Sequence, residues 1–227
     1  AGLAMTLLPS ISKSTSSNNT ELTKGYIRQS MRYMLMVLIP GVLLISATSA
    51  DLLTLVYSSR YIEAASSLSI LVFGLGLLSI FFVLAHIIMG SGRPKIALGI
   101  ALPLVGVDIM LNVFLIARYG LVGAAWATTI TGFLGVCAAS VYTLWRFKSL
   151  VNLKSLGRIC LTSAVIYVIA LQVSLPAVWL PFIYIGLLAL YGGLLLLIRE
   201  LKREDLATFR RILPLESLTR GGGDLTP

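Results

Sequence analysis

The chain has 227 residues, of which 57% are hydrophobic and only 12% charged, with a mean hydropathy of +0.94. Soluble domains carry about a quarter charged residues, so a water-soluble fold is excluded. A net charge of +9 points to an acidic partner only once the charges are located.

Ala1 to Leu8 is an apolar run too short to span a bilayer, with no basic segment before it. It reads as the cut end of a helix and not as a signal peptide, and the chain as part of a longer protein. Pro9-Ser10 ends that helix, and Ser12 to Thr20 is a polar loop. A helix restarts near Glu21, basic at Lys24, Arg28 and Arg32, and enters a first span at about 31–50 with Pro40 in its middle. A proline there frees a carbonyl, which is tolerated in a membrane when a neighbour satisfies it. A loop at 51–67 carries Tyr57 and Tyr61, suited to the membrane interface.

Further spans are expected at about 68–89, 95–117, 121–145, 159–175 and 179–198. Lengths of 17 to 25 residues suit a hydrocarbon core about 30 Å thick at about 1.5 Å per residue. Spans three and four form a hairpin reversing at Arg118-Tyr119-Gly120-Leu121-Val122-Gly123. The expected fold is all-α, a polytopic bundle of six transmembrane helices after a truncated helix end. Its parts are 1–145, a pair of added helices within 146–198, and a tail at 199–227. The tail begins as an amphipathic helix through Leu201, Leu206, Phe209, Ile212 and Leu213, and ends disordered around Gly221 to Gly223.

The charges divide by side. Sixteen of the 18 Lys and Arg residues fall in the N-terminal segment, the second and fourth connections and the tail; only Arg60 and Arg118 lie on the other side. The positive-inside rule places the basic side, with the C-terminus, in the cytoplasm. The charge is therefore topology, with membrane lipid and not nucleic acid as its partner. Asn18-Asn19-Thr20 matches a glycosylation acceptor but falls on that same side.

An ionisable group deep in a membrane is costly unless paired or wetted, which makes Asp108 a candidate functional residue. It lies nine residues before Ala117, or about 13 to 14 Å inward, with Asn112 on the same face. The pair suits a cation or proton site, or a passage point for a polar headgroup. The plainer alternative is an interhelical hydrogen bond to Thr128, Thr129 or Thr131. His86, the only histidine, is a candidate for titration in a transport cycle or for a structural hydrogen bond. Arg28 and Arg32 could meet a phosphate or anchor the helix at the interface. Ala124, Thr128, Gly132, Gly135 and Ala139 form a stripe of small residues suited to close helix packing. Cys137 and Cys160 lie in apolar segments without metal spacing. No catalytic motif, clustered metal ligands or phosphate loop is present, so neither an enzyme nor a cofactor is expected.

The order of signals resembles a known family. Leu8-Pro9-Ser10-Ile11-Ser12, the proline-bearing span, Val56-Tyr57, Tyr61-Ile62-Glu63-Ala64-Ala65, Leu68-Ser69-Ile70-Leu71 and Gly90-Ser91-Gly92-Arg93 are similar to the C-terminal half of polysaccharide flippases. Asn112 with Leu115-Ile116, and Tyr119 to Thr128, continue the likeness. These flippases belong to the multidrug/oligosaccharidyl-lipid/polysaccharide exporter superfamily. The resemblance implies two six-helix lobes around a cavity, with two extra C-terminal helices; the six spans here would be the ninth to fourteenth. It implies transport of a polyprenyl-diphosphate-linked oligosaccharide, such as an O-antigen unit, across a bacterial or archaeal inner membrane. It further implies cationic cavity residues, a Na+ or H+ gradient, and an N-terminal lobe that the sequence lacks. Rival readings are a cation-coupled multidrug exporter, a membrane glycosyltransferase or ligase, and a non-transporting scaffold.

Overall fold

The computed structural model describes residues 20–172, 177–198 and 200. The helix remnant, the polar loop and the amphipathic tail, Glu200 excepted, lie outside the described residues. Helix α1 spans Thr20–Ala47 and α2 Ser49–Tyr57, followed by a 3-10 segment at Ser59–Ala64 and α3 at Ala65–Gly90. The assignment Pro94–Phe147 is broken at Gly120, whose φ of 57° and ψ of −132° are non-helical, giving α4 at 94–119 and α5 at 121–147. Helices α6 (Leu153–Gln172) and α7 (Leu180–Leu197) complete the described chain. Five helices are long and apolar enough to cross a membrane, and the Gly120 break makes one of them two spans, so the described chain has six crossings.

Two expectations change. The stretch 51–67 is not a loop: α2 and the 3-10 segment occupy it. Its Leu52, Leu53, Leu55 and Val56 supply an apolar helical run that the two tyrosines had concealed. The helix of the fifth span, expected from about 159, begins earlier, because α6 already starts at Leu153. There the Asn152 Oδ1 accepts the Lys154 amide at 3.1 Å and satisfies one free donor of the first turn.

The hairpin closes on two glycines. Gly120 takes a positive φ that side chains resist. Gly123 sits so close to the Leu115 carbonyl that any Cβ would fall inside it. In one continuous helix these residues would be about 12 Å apart, so the contact is itself evidence that the chain doubles back. Farther along, a Cβ placed on Gly135 would stand 3.1 Å from Leu104 Cδ1, which fixes an antiparallel register between α4 and α5. Gly132 lies on α3 against Leu77 and the Gly74 carbonyl. With no hydrophobic drive between helices in lipid, backbone approach through small residues is what holds such neighbours together.

Helix α1 joins two cores. Its basic half places Ile27 and Met31 among Phe81, Leu84, Ile88, Ala97 and Ala139 of α3, α4 and α5. Beyond that, Met36 and Leu44 pack with Ile159 and Ile166 of α6 and Leu187, Tyr191 and Leu195 of α7. Pro40, fully buried between these residues, cannot donate to Met36, four positions earlier. The Tyr191 hydroxyl donates to that Met36 carbonyl at 2.8 Å. An added helix thus supplies the hydrogen bond that the proline removes. Tyr184, two turns earlier on α7, meets the Thr48 hydroxyl at 2.5 Å.

Candidate functional site

Midway along α4, the Asn112 side-chain amide donates to the Asp108 carbonyl at 2.9 Å and to Asp108 Oδ2 at 3.1 Å. Both residues are half-buried on the side of α4 that packs in the bundle, continuing from Ala97, Ala101 and Leu104 at helical spacing. The interhelical bond from Asp108 to a threonine does not form. Thr128 donates to the Ala124 carbonyl at 3.2 Å, and Thr129 to Ala125 at 2.8 Å and Ile70 at 3.3 Å. A helical threonine finds its own preceding turn more readily than a neighbouring helix. Thr131 is buried, and its hydroxyl has no partner among the described residues. The register set by Leu115 at Gly123 and Leu104 at Gly135 brings Thr131 to the level of Asp108. Carboxylate, amide and hydroxyl oxygens at one depth are hard ligands, the kind that suit a small cation.

The other candidates lie elsewhere. The His86 ring Nδ1 is 2.6 Å from the Phe82 carbonyl; because a carbonyl only accepts, Nδ1 carries the proton and Nε2 is left open. Arg28 is exposed at the start of α1. Arg32 is turned inward, with Nη2 2.6 Å from the Glu200 carbonyl and Nε 3.4 Å from Glu200 Oε1. No hydrogen bond or ion pair links these three to Asp108 among the described residues, so the five candidates do not converge on one site. Within the small-residue stripe, Gly132, Gly135 and Ala139 are buried between helices, while Ala124 and Thr128 are half-buried.

Glu200 is the group that sequence reasoning missed. Only 7% exposed, it also meets Arg158 Nη1 at 3.1 Å through Oε2, and Ser155 donates to Oε1. One carboxylate just beyond α7 is thus gripped from α1 and α6. Arg32, inside α1, and Arg158, in the second turn of α6, needed a counter-charge, and Glu200 is the acid nearest the sixth span. That was the available signal. The Ser149 hydroxyl bridges to the Lys24 carbonyl at 3.4 Å, and Arg93 Nη1 reaches the Tyr142 hydroxyl at 3.4 Å. The starts of α1, α4 and α6 and the ends of α3, α5 and α7 are therefore gathered at one basic end.

A family model described as "Lipid II flippase MurJ" matches residues 1–195. The chain belongs to this family. It is 33% identical over 147 residues to the lipid II flippase MurJ of Bacillus subtilis, covering 63% of the chain and 26% of that protein. It is 27% identical over 129 residues to the probable low-salt glycan biosynthesis flippase Agl15 of Haloferax volcanii, covering 57% of the chain and 27% of that protein. The fold matches a solved lipid II flippase MurJ in an inward closed conformation with a TM-score of 0.73, at 19% identity, over 87% of the chain and 43% of that structure. The aligned region thus spans about a quarter of the length of these curated relatives. The comparisons support a flippase-type membrane protein of the wider superfamily and do not single out the polysaccharide or O-antigen branch. These relatives are described as flippases, not as catalysts of a bond-making reaction.

Proposed function

We propose that the chain is the C-terminal part of a flippase that carries a polyprenyl-diphosphate-linked oligosaccharide from the inner to the outer leaflet of a bacterial or archaeal cytoplasmic membrane. Its basic end, including the end of α7, faces the cytoplasm. Family membership supports the transport of a lipid-linked glycan, and the 16-to-2 division of Lys and Arg supports the orientation. A diphosphate and a glycan cannot cross about 30 Å of hydrocarbon unaided, because each charge would be stripped of water. The protein's work is to keep those groups solvated while the tail stays in lipid. The N-terminal lobe of the same protein supplies the rest of the pathway.

The single observation that carries the mechanism is the Asp108–Asn112 pair in the middle of a span. We assign it to the coupling cation, Na+ or H+, with Thr131 as a further oxygen at the same depth. Binding there shifts the balance between inward and outward conformations only if the cation prefers one of them. The test is reconstitution of the complete protein in vesicles with a fluorescent lipid-linked oligosaccharide. Movement of that lipid, faster under an imposed Na+ or H+ gradient and absent for a lipophilic drug cation, is the expected result. Export of the drug cation without movement of the glycolipid would instead establish the multidrug-exporter reading.

A further inference from the structure

Near the basic end, the last turns of α3 and the first turns of α4 part to leave a groove of about 440 Å³. Its walls are Phe81, Phe82, Ala85 and His86 on one side and Leu98 and Ala101 on the other, with Lys95 at its mouth. We propose that this groove binds one anionic phospholipid of the surrounding leaflet, its acyl segments between α3 and α4 and its phosphate at Lys95.

The walls are hydrocarbon apart from the His86 ring, so in a membrane the groove takes lipid chain in preference to water. The mouth is cationic and unbalanced. Arg93 and Lys95 are exposed, and neither is in an ion pair among the described residues. The acids described at this end are already engaged: Glu21 with Lys24 at 2.7 Å, and Glu200 with Arg32 and Arg158. Asp108 is 13 residues along α4 from Lys95, about 20 Å away. Lys95 also occupies the first turn of α4, where the helix dipole favours an anion. His86 Nε2, not used by the Phe82 bond, is left to hydrogen-bond a lipid headgroup.

A groove of about 440 Å³ between two helices takes an acyl segment of a phospholipid, and displacement by a polyprenyl chain is an outcome of the test. The proposal does not depend on which glycan is carried.

The test is native mass spectrometry of the purified complete protein released from detergent with phosphatidylglycerol or phosphatidylcholine. One tightly held phosphatidylglycerol is expected, with phosphatidylcholine held at least fivefold more weakly. Lys95→Gln should lower phosphatidylglycerol retention about fivefold, the loss of one interfacial cation. Leu98→Trp, which fills the groove from its exposed rim, should abolish it. Val141→Trp, exposed on α5 away from the groove, should change nothing. Thermal unfolding of each variant checks that the fold persists. Retention unaffected by Lys95→Gln and Leu98→Trp, equal retention of the two phospholipids, or displacement by an equimolar polyprenyl phosphate would each overturn the proposal.

Discussion

The two arms of the hairpin are similar in length and apolarity, yet they are used in opposite ways. Arm α5 buries Gly123, Ala125, Ala127, Thr131, Gly132, Gly135, Ala139 and Thr143, whereas α4 buries only Ala97 fully. On α4, Leu102, Val105, Ile109, Met110, Val113 and Phe114 all face outward. A large side chain is needed where a helix meets lipid, and a small one where it meets a helix backbone. The polar pair Asp108 and Asn112 therefore sits on the more exposed arm, and the buried glycines sit on the arm that holds the bundle.

That contrast can be broken most severely at the reversal. Gly123→Val drives a branched side chain into the Leu115 carbonyl, a backbone group with nowhere to move. A loss of more than about 3 kcal/mol is expected, seen as the disappearance of the cooperative thermal transition in detergent. Gly106 on α4 has nothing within 4 Å of where a Cβ would stand. Gly106→Ala should raise stability by up to about 1 kcal/mol through helix propensity alone. If both substitutions act alike, the division between the arms is mistaken.

Next in size is the Glu200 cluster. Removing one member of a fully buried ion pair costs about 3–5 kcal/mol. Here Arg158 is half exposed, so Glu200→Gln should cost about 2 kcal/mol. Chemical denaturation of the variant, alone and with Arg158→Leu, measures it; additive losses would show that the two groups are not coupled.

Tyr191→Phe is a smaller change, about 1 kcal/mol for one hydrogen bond within the membrane. Its cost should shrink in a Pro40→Ala background, where the restored amide satisfies the Met36 carbonyl. An unchanged cost would mean that Tyr191 acts through packing and not through the carbonyl freed by Pro40. Smallest of all, Phe114→Leu on the exposed side of α4 should stay within about 0.5 kcal/mol in thermal unfolding.

Much of this was legible in the residues, for identifiable reasons. Apolar length fixed the number of crossings, and the short turn at Arg118 to Gly123 between two spanning arms fixed the reversal. Pro40 announced a freed carbonyl at Met36, but that carbonyl's partner Tyr191 lies 155 residues away on another helix, a pairing no local pattern encodes. The same holds for Glu200, which looked like one charge of a surface tail until Arg32 and Arg158 closed on it. Local periodicity hid α2 because two aromatic residues suggested an interface loop. At Asp108 the depth in the span was readable, but the choice of partner was not. Asn112 lies one turn away in the same helix, whereas Thr128 and Thr129 on α5 are held by bonds to their own preceding turn.

The most direct test of the central claim is gradient-driven movement of lipid-linked oligosaccharide by the complete protein carrying Asp108→Asn, with thermal unfolding measured on the same sample. The account predicts an unfolding temperature close to that of the unsubstituted protein and loss of the gradient dependence. Gradient-driven movement that persists in the variant, or a loss that simply tracks unfolding, would contradict the assignment of Asp108 to the coupling cation.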